Sequence, residues 1–235
     1  MLMTYTLRQL HEGKLPLDDY RVLILPLHPE YWTREMYLRA KRWVFERGGR
    51  LLYLGGNGLN CEVTLEPEGA MRCLTHVNSL NGEMGGHSMI SPEIEYESRM
   101  HRTLESEANF LGVVCTSTGL MTAAPYRVLD QSHWAFDRTG LRNGDLFGKN
   151  TLHERVPGGA SGHETDKRSA SSPADTRLLA KGINPENGGA EIVYHEPGGG
   201  GAVFSVGSIT WVSGLLVDEH VSRITRNVLD RFLHD

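Results

Sequence analysis

Three short segments hold titratable side chains inside tight turns: His28-Pro29-Glu30, Gly55-Gly56-Asn57-Gly58 and Gly162-His163-Glu164-Thr165-Asp166. The first follows the apolar run Leu23-Ile24-Leu25-Pro26-Leu27 and leads into Tyr31-Trp32. An imidazole titrates near neutrality, so His28 could move a proton as acid or base. Glu30 could ligate a hard metal ion or activate water. Pro29 stiffens the link between them. Asn57 could aim its amide, with nearby backbone N–H groups, at a developing oxyanion. Each has a bland counterpart. His28 could bond backbone at a strand end. Glu30 could serve the dipole of the following helix, and Asn57 could occupy a left-handed turn. Glu164 sits in a polar stretch where spacing alone reads as a solvated acid.

The elements around these turns are what would position them. Residues 4–14 predict a short helix. Residues 21–27 form an almost unbroken apolar run and read as a buried strand. Thr33 offers an N-cap and Glu35 a first-turn acid. Met36, Tyr37, Ala40, Trp43 and Val44 then recur at helical spacing, and Gly48-Gly49 stops the helix. Residues 50–54 are the next buried strand. Strand, helix, strand is a βαβ unit with a right-handed crossover. In open α/β sheets, ligands bind beyond the carboxyl ends of the strands. His28 and Asn57 would sit on two neighbouring ends, within reach of one substrate.

Further along, residues 61–75 predict hairpin strands, and 76–100 a long irregular excursion. Strands are expected at 110–115, 126–128, 177–180, 190–194, 203–206 and 210–212, with loop over 134–176 and a turn at 198–201. A closing helix from about Asp218 puts Val221, Ile224, Val228 and Phe232 on one face.

Composition narrows the function classes. A net charge of -5 opposes a nucleic-acid or anionic-membrane surface, and no apolar run is long enough to span a bilayer. The N-terminus lacks the pattern of a signal peptide. Three cysteines, Cys61, Cys73 and Cys115, follow no metal-ligand spacing and read as reduced thiols of a cytoplasmic protein. Cys115 lacks the glycine elbow of a nucleophile and reads as buried structure. The run Gly198-Gly199-Gly200-Gly201 lacks the Lys-Ser/Thr of a phosphate loop. His87, His101 and His133 show no His-x-x-x-His spacing, and Trp32, Tyr37 and Trp43 read as core.

Residues 20–57 carry His-Pro-Glu-Tyr-Trp-Thr-Arg-Glu-Met and then Gly-Gly-Arg-Leu-Leu-Tyr-Leu-Gly-Gly-Asn-Gly. This stretch resembles the C-terminal part of the large (beta) subunit of N,N-dimethylformamidase. The resemblance continues through His133-Trp134-Ala135-Phe136, Gly162 to Lys167, and Gly201 to Ser208. It implies a flavodoxin-like, class I glutamine-amidotransferase-like three-layer α/β sandwich with long inserted loops, here one domain over 1–235. It also implies hydrolysis of an amide C–N bond, giving formate and dimethylamine from dimethylformamide. The family's metal is a mononuclear iron held by two tyrosines and a glutamate. Glu30 matches that glutamate, and His28, Asn57 and Glu164 match residues that assist catalysis.

The 27 residues before His28 contain Tyr5 and Tyr20, neither in a motif of that family. The chain is therefore expected to take ligands from a partner, to bind metal differently, or to lack the metal site. The leading expectation is a cytoplasmic, metal-assisted hydrolase of a small amide. The alternative is a non-catalytic subunit or binding module paired with a chain that carries the tyrosines. A third is a hydrolase using His28 and Glu30 without metal. A homo-oligomer or partner subunit is expected, without nucleic acid or membrane.

Overall fold

The structure, a computed structural model, describes residues 6–67, 69–74, 89–90 and 95–234. Thr6 caps Leu7–His11 (α1) through a reciprocal bond with Gln9. Val22–Leu27 (β1) and Tyr31–Trp32 (β2) follow, then Arg34–Arg47 (α2). The Thr33 hydroxyl accepts from Met36 N–H at the start of α2, and Gly48, at φ 73°, ends it. Glycine adopts that left-handed turn without a Cβ penalty. Met36, Tyr37, Ala40, Trp43 and Val44 are all buried, as their spacing predicts. Arg50–Gly55 (β3) completes the βαβ unit, parallel to β1 from Val22↔Arg50 to Leu27↔Gly55.

The middle of the chain contributes Cys61–Leu65 (β4), Met71–Cys73 (β5), Met89–Ile90 (β6), Glu95–Tyr96 (β7), Arg99–Thr103 (α3) and Ala108–Leu111 (α4). Then come Val114–Thr116 (β8), Ala123–Ala124 (β9), Tyr126–Val128 (β10), Leu146–Phe147 (β11), Ser161–Gly162 (β12) and Thr165–Lys167 (β13). The last elements are Arg177–Gly182 (β14), Glu191–His195 (β15), Ala202–Ser205 (β16), Trp211–Gly214 (α5) and Glu219–His234 (α6).

The main sheet runs β1-β3-β16-β15-β14-β10-β11. Its first three strands are parallel, and every later pairing is antiparallel. Side chains alternate across a strand, and the two cores follow that alternation. Leu51, Tyr53, Val193 and Val203 pack with α2 and α4 on one face. Leu52, Leu54, Ile192 and Phe204 pack with α6 on the other, where Val221, Ile224, Val228 and Phe232 are buried. The molecule is thus a mixed α/β fold with helices on both faces of one sheet.

Several expectations need correction. β1 is not a buried strand: it lies at the sheet edge, half-buried over Val22–Ile24 and exposed at Leu27. An edge strand has one neighbour, and an apolar run does not report how many neighbours a strand has. Phe110 belongs to α4, so the strand begins later, at Val114. Thr210 flanks α5 and Trp211 and Val212 open it, so 210–212 forms no strand. The expected loop over 134–176 contains the short pairings β11, β12 and β13. The β4–β5 hairpin forms as expected. Of the predicted excursion, 76–88 and 91–94 lie outside the described residues. Among the described residues no helix is long and apolar enough to cross a membrane.

Candidate functional site

The site begins where β1 and β3 end side by side. Gly56 N–H donates to Leu27 O at 3.0 Å, and Leu59 N–H to Pro29 O at 2.8 Å. These bonds strap the His-Pro-Glu turn to the glycine turn. Leu27, Asn57, Leu59 and His163 all have left-handed backbones, at φ 61°, 49°, 56° and 70°. Non-glycine residues seldom occupy that region, and such strain collects at functional sites. Here it falls beside or upon His28, Asn57 and Glu164. The glycines leave no spare room. A Cβ on Gly56 would stand 2.4 Å from Glu164 O, and one on Gly58 would stand 2.7 Å from the Tyr53 hydroxyl.

Glu164 arrives from 107 residues beyond Asn57 in the chain and joins both turns. Its carbonyl accepts from Ile209 N–H at 3.4 Å, and Thr165 bridges to Ser208, so the exit of β16 carries it. Glu164 Oε2 accepts from Asn57 Nδ2 at 2.8 Å and lies 3.0 Å from His28 Nε2. His28 Nε2 is also 3.3 Å from Glu30 Oε2. Glu30 Oε1 meets Arg99 Nη1 at 3.4 Å. All four residues singled out in the sequence therefore meet in one place. His28 is the most open, its side chain 38% exposed, against 19% for Glu164 and 9% for Glu30. Asn57 is buried at the back.

The electrostatics follow from this packing. The bond to Glu164 raises the His28 pKa above its ordinary value, against partial burial, and the charges of Glu164, Glu30 and Asp166 add to the rise. Asp166 lies behind Asn57. Burial pushes its carboxyl up to about 6, although Asn57 N–H and the Tyr53 hydroxyl both donate to it. Cys115, opposite Asp166 in the β8–β13 pair, is driven well above the usual thiol range by burial and then by Asp166. It stays protonated, which agrees with a structural thiol.

An iron held by Glu30 would need further donors beside that carboxylate. A guanidinium and an imidazole face its two oxygens, each of which keeps a lone pair. Among the described residues no three His, Cys, Asp or Glu side chains form a metal-holding group.

The profile of the family described as N,N-dimethylformamidase beta subunit-like, C-terminal matches residues 1–223. The chain belongs to this family. It is similar to the N,N-dimethylformamidase beta subunit of Paracoccus aminophilus, 29% identical over 262 residues, covering 93% of this chain and 33% of that protein. It is also similar to the subunit of the same name from Alcaligenes sp, 27% identical over 267 residues, covering 95% and 33%. The chain spans about a third of the length of these curated relatives.

Beyond the four residues noted in the sequence, this family member's site includes Arg99, Asp166 and Tyr53. Asp166 had a sequence signal, standing two positions from Glu164 in the segment already noted. Tyr53 lies within an apolar strand run, where a tyrosine reads as core. Arg99 opens a five-residue helix, and nothing in the neighbouring sequence points to Glu30.

Proposed function

We propose that the chain is the catalytic α/β unit of a dimethylformamidase-type hydrolase acting on a small formamide-like amide. The observation that carries this reading is the convergence of Asn57 Nδ2 and His28 Nε2 on one oxygen of Glu164, at 2.8 and 3.0 Å. A carboxylate oriented by two donors can take a proton from water as the water oxygen bonds to the amide carbon. The C–N bond then breaks, and an imidazolium at His28 gives its proton to the departing amine. Glu164 returns its proton to His28 across the same contact. The products are a carboxylic acid and an amine. The raised pKa of His28 favours the charged form this step needs. Asn57 holds Glu164 in place from the buried side and helps seat the carbonyl. Iron on Glu30 stays an implication of the family resemblance alone, and these steps use the protein's own groups.

The finer fold assignment belongs to the same reading: one glutamine-amidotransferase-like domain over 1–235. The parallel trio β1-β3-β16 with helices on both faces supports it. Cytoplasmic residence is supported by three free cysteines, Cys61, Cys73 and Cys115.

The test is release of dimethylamine from N,N-dimethylformamide by the purified chain, compared with Glu164→Gln, with and without added iron. Activity in the wild type that is absent in the variant is expected. No hydrolysis by the wild type in either condition would overturn the catalytic reading. A second reading, a subunit completed by another chain, is favoured by the names of both relatives, which are beta subunits. Native mass and activity with the companion chain added separate the two.

A further inference from the structure

Behind the site lies a second, fully buried set of polar contacts that the proposed steps do not use. Asp166 is 1% exposed. Its Oδ1 accepts from the backbone N–H of Asn57 at 2.7 Å, and its Oδ2 accepts from the Tyr53 hydroxyl at 2.7 Å. That hydroxyl in turn accepts from Gly58 N–H at 2.7 Å. Asp166 is itself fixed: its N–H donates to Gly207 O at 2.8 Å, and it pairs with Cys115 across β8 and β13.

Two features make this more than packing. Alternate residues of an extended segment point the same way, so Glu164 and Asp166 present two carboxylates to one residue. Glu164 takes the side-chain amide of Asn57, and Asp166 takes its main-chain N–H. The main chain of Asn57 is also in the left-handed region, at φ 49°, where its N–H turns inward and needs an acceptor. An asparagine at 166 could accept with one atom only. A carboxylate accepts with both, and here both are used. A buried carboxylate is costly unless its oxygens are satisfied, so a merely space-filling position would more cheaply hold a neutral residue.

We propose that Asp166 is a positioning residue: with Tyr53 it locks the left-handed turn at Asn57 and thereby aims the Asn57 amide at Glu164. This rests on the hydrolase reading for its kinetic consequence, and on geometry alone for its structural one. It implies that losing Asp166 leaves substrate binding near normal and weakens the chemical step, because Glu164 and His28 lose their orienting donor.

The experiment uses the full chain, 15N-labelled, as wild type, Asp166→Asn, Asp166→Ala and Tyr53→Phe. In the wild type the Asn57 and Gly58 amides should exchange slowly. In each variant the Asn57 amide and its side-chain NH2 signals should shift, with α2 and α6 signals unmoved. With N,N-dimethylformamide, kcat should fall about tenfold in Asp166→Asn and about a hundredfold in Asp166→Ala, with KM within about twofold. Unmoved Asn57 NH2 signals in a folded Asp166 variant would overturn the proposal, as would a wild-type kcat or a loss confined to KM. Should Asp166→Ala not fold, the Asp166→Asn and Tyr53→Phe spectra decide. Should the wild type hydrolyse no amide, the hydrolase reading falls, and the Asn57 signals still decide whether Asp166 positions the turn.

Discussion

Glu164 is the residue on which the site turns, because three other groups are arranged around it or beside its partner. Replacing it with Gln keeps the shape but removes the negative oxygen shared by Asn57 and His28. Loss of a proton-transferring group costs about 10²–10⁴ in rate. Dimethylamine release by Glu164→Gln should therefore drop at least a hundredfold while thermal unfolding stays near that of the wild type. Arg99→Ala has a different signature. It leaves the Glu30 carboxylate facing His28 and Tyr31. Because those partners stay, the loss should fall below about 3–5 kcal/mol, the cost of a buried charge stripped of every partner. Thermal unfolding of Arg99→Ala should show that loss, and Arg99→Lys should recover part of it.

At the scale of elements, the site depends on how closely two strand ends and a distant turn approach. Gly56 is where they touch. Gly56→Ala would drive a Cβ to 2.4 Å from Glu164 O and 2.9 Å from Ile209 N, both backbone atoms that cannot swing aside. Destabilisation of about 3 kcal/mol or failure to fold is expected, read from urea midpoints. The helix between the strands is set by its ends. Thr33→Ala removes the cap on Met36 N–H and should cost about 1 kcal/mol without altering activity beyond the loss of folded protein. β1, by contrast, is held on one side alone, so its C-terminal turn depends on the bonds from Gly56 and Leu59.

For the whole molecule, acid stability has an identifiable source away from the site. His133 is buried between Trp134 and Tyr194, with ring centroids 4.6 and 4.9 Å away, and its Nδ1 accepts from Ala135 N–H at 3.3 Å. Burial first, and then Arg177, lowers its pKa from 6.5 to about 4. The folded ring resists a proton that the unfolded chain accepts at pH 6.5. Its contribution is therefore complete above pH 6.5 and drains away as pH falls toward 4, by about 1.4 kcal/mol per unit at most. His133→Asn keeps a capping acceptor but carries no titrating ring. Its urea midpoint should lie below that of the wild type at pH 7.5, and the gap should narrow at pH 5. A gap that widened in acid would contradict this assignment.

Local chemistry was readable from the chain itself. The apolar run before His28, the N-cap at Thr33, the spacing of Met36 to Val44 and the stop at Gly48 each act within a few residues, so β1, α2 and β3 emerge from sequence with little shift in their bounds. The same holds for the pattern Val221, Ile224, Val228 and Phe232 on α6. The pairing of His28 with Asn57 also follows locally, since a βαβ unit must lay those two strand ends side by side. What sequence could not fix is anything set by distant partners. β1 is an edge strand because the other strands add on the far side of β3. Phe110 and Trp211 join short helices because tertiary packing outweighs weak local preference. Glu164 turns from an ordinary loop acid into the centre of the site because the exit of β16 carries it over the glycine turn. Asp166 gains its place through a backbone bond to a residue 109 positions away. Such contacts depend on how the chain closes on itself, and only the tertiary structure decides them.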